Sequence, residues 1–350
     1  MKIMRLLVLG AAFIYLNCRG FDNNYNNPLK DYTPQINQYN QIIQQSSAPK
    51  TGDVFAGFIT GNIKGDTTYR IDFPEGASQL AFPLNTSIFG VELCLTRRDI
   101  QNMDYEKGRF TLKWLVEADN AASGYMEDSD WLYDALDVII AGEAHPGLDI
   151  FSKSKAKISV QMIDVNYNMP VASSESFIMG IFAGYAYQKF NYSIYDVSQV
   201  GYGPYAANYS ASVSGKVLDY EVKYSFPYFG VSTDIFFDPS IKFSVQYGYS
   251  DFVDAKDVDD HILRYKMSEG KTNGHANLFN MKLEWNLDPQ WTLRLSESYT
   301  KIYTTGKQNQ FWYGDDPASS GDDTGGYINN IDDKITSTQK LISLGIIYRF

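Results

Sequence analysis

Residues 241–261 read IKFSVQYGYSDFVDAKDVDDH. In the first half, Ile241, Phe243, Val245, Tyr247 and Tyr249 alternate with Lys242, Ser244, Gln246, Gly248 and Ser250. A period of two places the sets on opposite faces of a strand, one apolar and one polar. The segment runs without a break into Asp251, Asp254, Asp257, Asp259, Asp260 and His261. Several carboxylates and one imidazole therefore gather at the strand's far end.

The same interleaving marks the whole chain. Aromatic residues make up 15% of it, yet the mean hydropathy is only −0.30. The apolar residues are thus spread among polar ones, as expected when lipid lies on one side of each strand and a wet lumen on the other. No internal run approaches the length of a membrane-spanning helix. A net charge of −11 excludes nucleic acid as a partner and favours a cationic one. Cys18 and Cys94 make no disulfide framework. His145, His261 and His275 include no pair at ligand spacing, so no metal is expected.

Residues 1–17 carry Lys2 and Arg5 before an apolar run from Leu6 to Leu16, the pattern of an export signal peptide. Cys18 follows directly, which fits lipoprotein-type cleavage with acylation of its thiol. Residues 18–52, rich in Asn, Gln, Tyr and Pro, read as a flexible leader. From there residues 53–350 form one β domain. Alternating segments fall at about 53–69, 77–96, 108–120, 151–166, 176–196, 219–235, 240–256, 276–287, 290–305 and 338–350. Tight joins such as Phe237-Asp238-Pro239-Ser240 and Leu287-Asp288-Pro289-Gln290 alternate with long polar ones at 121–150, 197–218, 257–275 and 306–337. Counting back from Phe350, every second residue is apolar, which looks like the terminal signature of outer-membrane barrels. The expected fold is all-β: a transmembrane antiparallel up-and-down barrel of about ten strands, with its long loops facing the cell exterior. A soluble sandwich also alternates, but it accounts for neither Phe350 nor the loop lengths.

In such a barrel the joins 121–150 and 257–275 emerge on the same side. Asp128 and Asp130 are two residues apart, as are Asp259 and His261, so each pair shares a strand face. Together they compose a water-activating site. Asp259 orients the ring of His261, His261 acts as general base toward a water held against Asp128, and Asp130 tunes its neighbour. Two close carboxylates do not both ionise easily, so one keeps a proton near neutral pH.

The chain resembles the omptins, bacterial outer-membrane aspartate-histidine endopeptidases on a ten-stranded barrel. Asp128-Ser129-Asp130-Trp131 matches their D-x-D-W motif, and Asp257-Val258-Asp259-Asp260-His261 matches D-x-D-x-H. Ser78-Gln79-Leu80, Ala183-Gly184-Tyr185, Phe226-Pro227-Tyr228-Phe229-Gly230 and Tyr249-Ser250 follow in family order, so the likeness spans roughly residues 55–350. It implies an aspartic-type endopeptidase in which Asp128 and Asp130 are the aspartate pair, and Asp259 and His261 the dyad. It implies further that Asp257 binds a basic side chain of a peptide or protein substrate together with a second acid near the end of the first strand, where Gly65 or Asp66 falls depending on a one-residue shift and Asp66 is the acid of the two. Omptins also depend on lipopolysaccharide, and Tyr185, Lys189 and Lys223 fall on three of its binding positions. Tyr187 stands where an acid is expected and Gly274 where a lysine is. Asp137 falls near a further acid of the omptin cleft, and His145-Pro146 reads as structural. The acids of 306–337 read as a solvated loop rather than a calcium site. The competing reading is a barrel without catalysis, a porin or surface adhesin. Against the porin, a barrel of about ten strands has a lumen filled by side chains.

Overall fold

A computed structural model describes residues 52–73, 76–98, 106–119, 122–131, 138–140, 143–145, 147–174, 176–202, 209–317 and 319–350. The expected signal peptide, most of the leader, and Cys18 lie outside them. The strands are β1 (Gly52–Phe73), β2 (Gly76–Arg98), β3 (Glu106–Glu117), β4 (Ala122–Trp131), β5 (Val138–Ile140), β6 (Glu143–His145), β7 (Ile150–Ser173), β8 (Phe177–Gly201), β9 (Ser210–Asp238), β10 (Ile241–His261), β11 (Lys266–Asn286), β12 (Trp291–Trp312) and β13 (Tyr327–Arg349). β5 and β6 pair only with each other; the remaining eleven form one antiparallel sheet.

That sheet closes. β1 pairs with β13 on one side and β2 on the other, so no edge is left open. β3 and β4 share one place in the ring. β3 pairs with β2 from Ile88 to Arg98 and with β7 from Gln161 to Asn168; β4 pairs with β2 from Ala77 to Ala81 and with β7 from Ile150 to Lys157. The eleven strands thus occupy ten positions, the up-and-down barrel expected from the sequence.

Outward-facing apolar residues form a band around it. Phe58, Val91 and Trp114 stand opposite one another on β1, β2 and β3, and Leu283, Leu295 and Leu344 do so on β11, β12 and β13, all exposed. Exposed apolar surface in a closed ring is what a lipid-facing girdle requires. A tilted strand crosses a bilayer in about 9–11 residues, whereas β10 has 21 and β9 has 29. The surplus stands beyond the band at one end. At the other end the turns are tight and fastened by aspartates: Asp238 Oδ1 accepts from the N–H groups of Ser240 (2.6 Å) and Ile241 (3.0 Å), and Asp288 Oδ1 from those of Gln290 (2.7 Å) and Trp291 (2.8 Å).

This corrects the expected loops. Most of 257–275 is strand, with only Ile262 to Tyr265 turning between β10 and β11. Much of 197–218 and 306–337 is strand as well. The strands were read too short because above the membrane both faces meet water or polar lumen, so the apolar half of the alternation fades while backbone pairing continues.

β10 carries a bulge. Its register to β11 shifts between Ser250 and Val253, and to β9 between Tyr249 and Asp254, each time with one extra residue on β10. Ser250 Oγ accepts from the N–H of Phe252 at 3.1 Å inside it. Asp251 and Phe252 are both exposed, and the faces exchange beyond them. Below the bulge Ser244, Gly248 and Ser250 face inward; above it Val253, Ala255, Asp257 and Asp259 do.

Two layers fill the lumen. Tyr69, Phe82, Tyr192 and Tyr220 make an aromatic floor, with Phe82 and Tyr220 stacked at 4.3 Å between centroids. Near the tight-turn end Arg294 bridges Glu284 (2.6 Å) and Glu92, and Lys242 meets Glu284 at 2.5 Å. Buried charges persist only when paired. Replacing Arg294 with Ala leaves two glutamates facing each other without that cation. The expected loss is about 3–5 kcal/mol in urea unfolding of the lipid-embedded barrel, against about 0.5 kcal/mol or less for Lys301→Ala on the outer wall.

Candidate active site

Beyond the aromatic floor the inward positions of four strands turn acidic. On β4 the inward residues are Met126, Asp128 and Asp130, with Asp128 between Leu80 of β2 and Ser152 of β7. Asp130 lies opposite Ser78, whose hydroxyl donates to it. On β10 the bulge brings Asp257, Asp259 and His261 to the lumen side. His261 donates from Nε2 to Asp259 Oδ2 at 2.9 Å, with the imidazole 19% exposed and the carboxylate 2% exposed. The partner fixes the ring and leaves one edge open to the mouth.

The two pairs meet. Asp259 is among the charges acting on Asp128, and His261 among those acting on Asp130. Burial raises Asp128 well above the usual carboxylate range, reinforced by the charges of Asp130 and then Asp259. Burial also raises Asp130, opposed by Ser78 and His261. Lys266, the first residue of β11 and paired in register with His261, is buried beside this cluster. Burial lowers its ammonium, with Arg264 adding to that, while Asp259, Asp130 and Asp128 pull it back up. Sequence reading passed over Lys266 because a lone lysine in a polar stretch reads as solvated.

The turn holding His261 is fastened from the segment that follows β12. Tyr313 donates to Asp260 Oδ1 at 2.8 Å, and Arg264 Nε to the buried Asp316 Oδ2 at 2.8 Å. Tyr265 takes the left-handed conformation (φ 49°) that reverses the chain in so few residues.

With this geometry in hand, known proteins place the chain. The Omptin family model matches residues 95–350. The chain belongs to the Omptin family. The plasminogen activator of Yersinia pestis is 25% identical over 155 residues, 44% of this chain and 46% of that protein. The chain therefore aligns with less than half the length of that relative. The crystal structure of the outer membrane protease OmpT from Escherichia coli overlays with a TM-score of 0.68 at 15% identity, covering 87% of this chain and 99% of that one. The barrel is an outer-membrane protein.

In this omptin, Asp128, Asp130, Asp257, Asp259 and His261 all reach the lumen side of the mouth. They stand on strands that outrun the membrane rather than on loops. Asp66 does not join them. It shares the outward phase of β1 with Phe58 and Lys64, is exposed, and accepts a weak bond from Thr68 (3.4 Å), while Thr67 and Tyr69 point inward. Alternation along β1 is unbroken, so residue 66 cannot face Asp257. The carboxyl that does is Asp333 of β13, buried and hydrogen-bonded to Asp257. By composition it belongs to a solvated loop, yet counting back by twos through Leu341, Gln339, Ser337 and Ile335 lands on it.

Tyr185, Lys189 and Lys223 lie on the outer wall. Lys189 is opposite Lys223, and both pair with Glu221, Lys189 at 2.7 Å. Glu221 thereby supplies an acid where Tyr187 lacks one. A side chain at Gly274 would start 2.0 Å from the Tyr303 carbonyl oxygen, which explains why no lysine stands there. The lysine row instead continues directly across the strands through Lys256, Lys271 and Lys307. Asp137 lies outside the described residues, and His145 ends β6.

Carboxyl carbon NMR of Asp128 checks the electrostatics. Its titration is expected well above pH 4, and Asp130→Asn is expected to lower the midpoint without restoring the ordinary value, because burial is the larger cause.

Proposed function

We propose that this omptin is an outer-membrane endopeptidase that hydrolyses peptide bonds beside basic residues, using water activated between His261 and the Asp128–Asp130 pair. The observation that supports it is the convergence of two short acid motifs, far apart in sequence, on inward positions at one barrel mouth. There His261 is already oriented by Asp259 at 2.9 Å.

In this reading His261 takes a proton from the water as the oxygen attacks the carbonyl carbon, then delivers it to the departing amine. The ionised member of the Asp128–Asp130 pair holds the water. Its protonated neighbour donates to the developing oxyanion, a role that burial favours by keeping one proton in place. Asp257 binds the cationic side chain beside the scissile bond. The aromatic floor argues against a general pore.

We also propose that the outer lysine row, from Lys189 to Lys307, rests on lipopolysaccharide phosphates. Lysines opposite one another on adjacent strands repel unless anions lie between them. Lys256 and Lys271 have no acidic partner among the described residues.

The test is cleavage of an arginine-containing peptide by the barrel refolded with and without lipopolysaccharide. Asp128→Ala and His261→Ala are each expected to lower kcat by at least about 100-fold while the barrel keeps its heat-modifiable gel shift. Undiminished cleavage in both variants contradicts the mechanism, and activity indifferent to lipopolysaccharide contradicts the lipid contact.

A further inference from the structure

Below the dyad, and outside the water-activating chemistry, lies a second pair of carboxyls. Asp257 of β10 and Asp333 of β13 are each 2% exposed. No side chain outside the pair donates to any of their four oxygens; the donors that bear on them are backbone N–H groups, that of Lys334 on Asp333 and Asp257's own. The one side-chain hydrogen bond open to them runs between the two carboxyls and needs a proton held in common. Both lie over Gly270 of β11. A Cβ there would stand 2.2 Å from Asp257 Oδ1 and 2.4 Å from Asp333 Oδ2. Any side chain at 270 would fill the space the two carboxyls share.

Among the described residues the surrounding wall has donors to spare, and no cation is among the charges that bear on the pair. From β12, Gln308 receives the Tyr69 hydroxyl on Oε1, leaving its buried Nε2 without a partner. From β11, the hydroxyl of buried Ser268 is likewise unpaired. Tyr69 of β1, Tyr220 and Tyr224 of β9 and Asp259 of β10 are the titratable groups whose charges bear on the pair. Burial pushes all three tyrosines up, so they stay neutral. Two buried acids without a counter-cation are expensive in isolation, and a guanidinium or ammonium entering between them would replace the common proton with charge-assisted bonds.

We infer that Asp333 is the second acid of a cation-binding pocket with Asp257, floored by Gly270, that receives the basic side chain of the substrate. This rests on the endopeptidase reading above and gives the specificity site its missing partner in place of Asp66. Arginine, planar and bidentate, suits two convergent carboxyls better than lysine. The pair also makes the pocket sensitive to pH. Burial lifts Asp333 to about 7 and Asp257 higher than its usual range, with Asp333 and then Asp259 adding to the latter. Cation binding must expel the common proton, so it strengthens as pH rises through 7.

The experiment uses the full chain refolded in lipopolysaccharide and two peptides that differ only in arginine or its uncharged isostere citrulline beside the cleaved bond. Alongside it, calorimetry follows arginine amide binding with no cleavage involved. The wild type is expected to prefer arginine strongly, with KM for that peptide rising as pH falls from 8 to 6. Asp333→Asn is expected to reduce the preference by about 10–100-fold, mostly through KM, and to flatten the pH dependence. Gly270→Ala, which keeps both charges and fills the space, is expected to weaken arginine amide binding as well. If Asp333→Asn leaves the preference, the pH profile and arginine amide binding unchanged, the inference is wrong. If the wild type binds arginine amide in an Asp333-dependent way but cleaves neither peptide, the pocket stands and the endopeptidase reading falls.

Discussion

One inserted residue decides what this barrel can do. Side chains alternate along a strand with a period of two, and the apolar face of β10 in the membrane carries Phe243, Val245, Tyr247 and Tyr249, all odd-numbered. Asp257, Asp259 and His261 are odd-numbered too. On an unbroken strand they would point away from the lumen. The bulge at Asp251 and Phe252 exchanges the faces, so the lipid-facing phase below becomes the lumen-facing phase above. Bulges cluster at barrel rims for this reason: they re-aim side chains while pairing continues on either side.

Once aimed inward, the acids are governed by burial. Above the aromatic floor, surplus strand raises a wall around a compartment narrow enough to desolvate carboxyls while His261 stays partly exposed. Desolvation is the leading cause of the raised values at Asp128, Asp130 and Asp257 alike. The compartment therefore holds protons where a soluble surface would not. The same physics underlies both proposals: a proton kept within the Asp128–Asp130 pair for the proposed hydrolysis, and one kept between Asp257 and Asp333 that the proposed cation would displace.

Much of this was legible in the sequence. Closed-barrel topology followed from alternation, tight turns and the terminal Phe350, and the two motifs named Asp128, Asp130, Asp259 and His261. What escaped notice did so for physical reasons. Above the membrane the greasy half of the alternation disappears, so strand ends looked like loops and Asp333 was counted with solvated acids. The bulge left no mark in composition, since Asp251 and Phe252 fit the local pattern of either phase. Asp66 was expected in the pocket by position along the chain, but parity on β1 turns it outward while Thr67 and Tyr69 face in. Gln308, Gly270 and Lys266 acquire meaning only through cross-strand neighbours that a single sequence does not display.

The phase exchange can be measured without reference to activity. With both native cysteines replaced by serine, the single variants Asp254→Cys and Asp257→Cys are exposed, in the assembled barrel, to a bulky membrane-impermeant maleimide. Rapid labelling is expected at residue 254, in the outward phase above the bulge, and protection at residue 257, in the inward phase. Equal labelling at both positions, or faster labelling at residue 257, would contradict the claim that the bulge turns the acids toward the lumen.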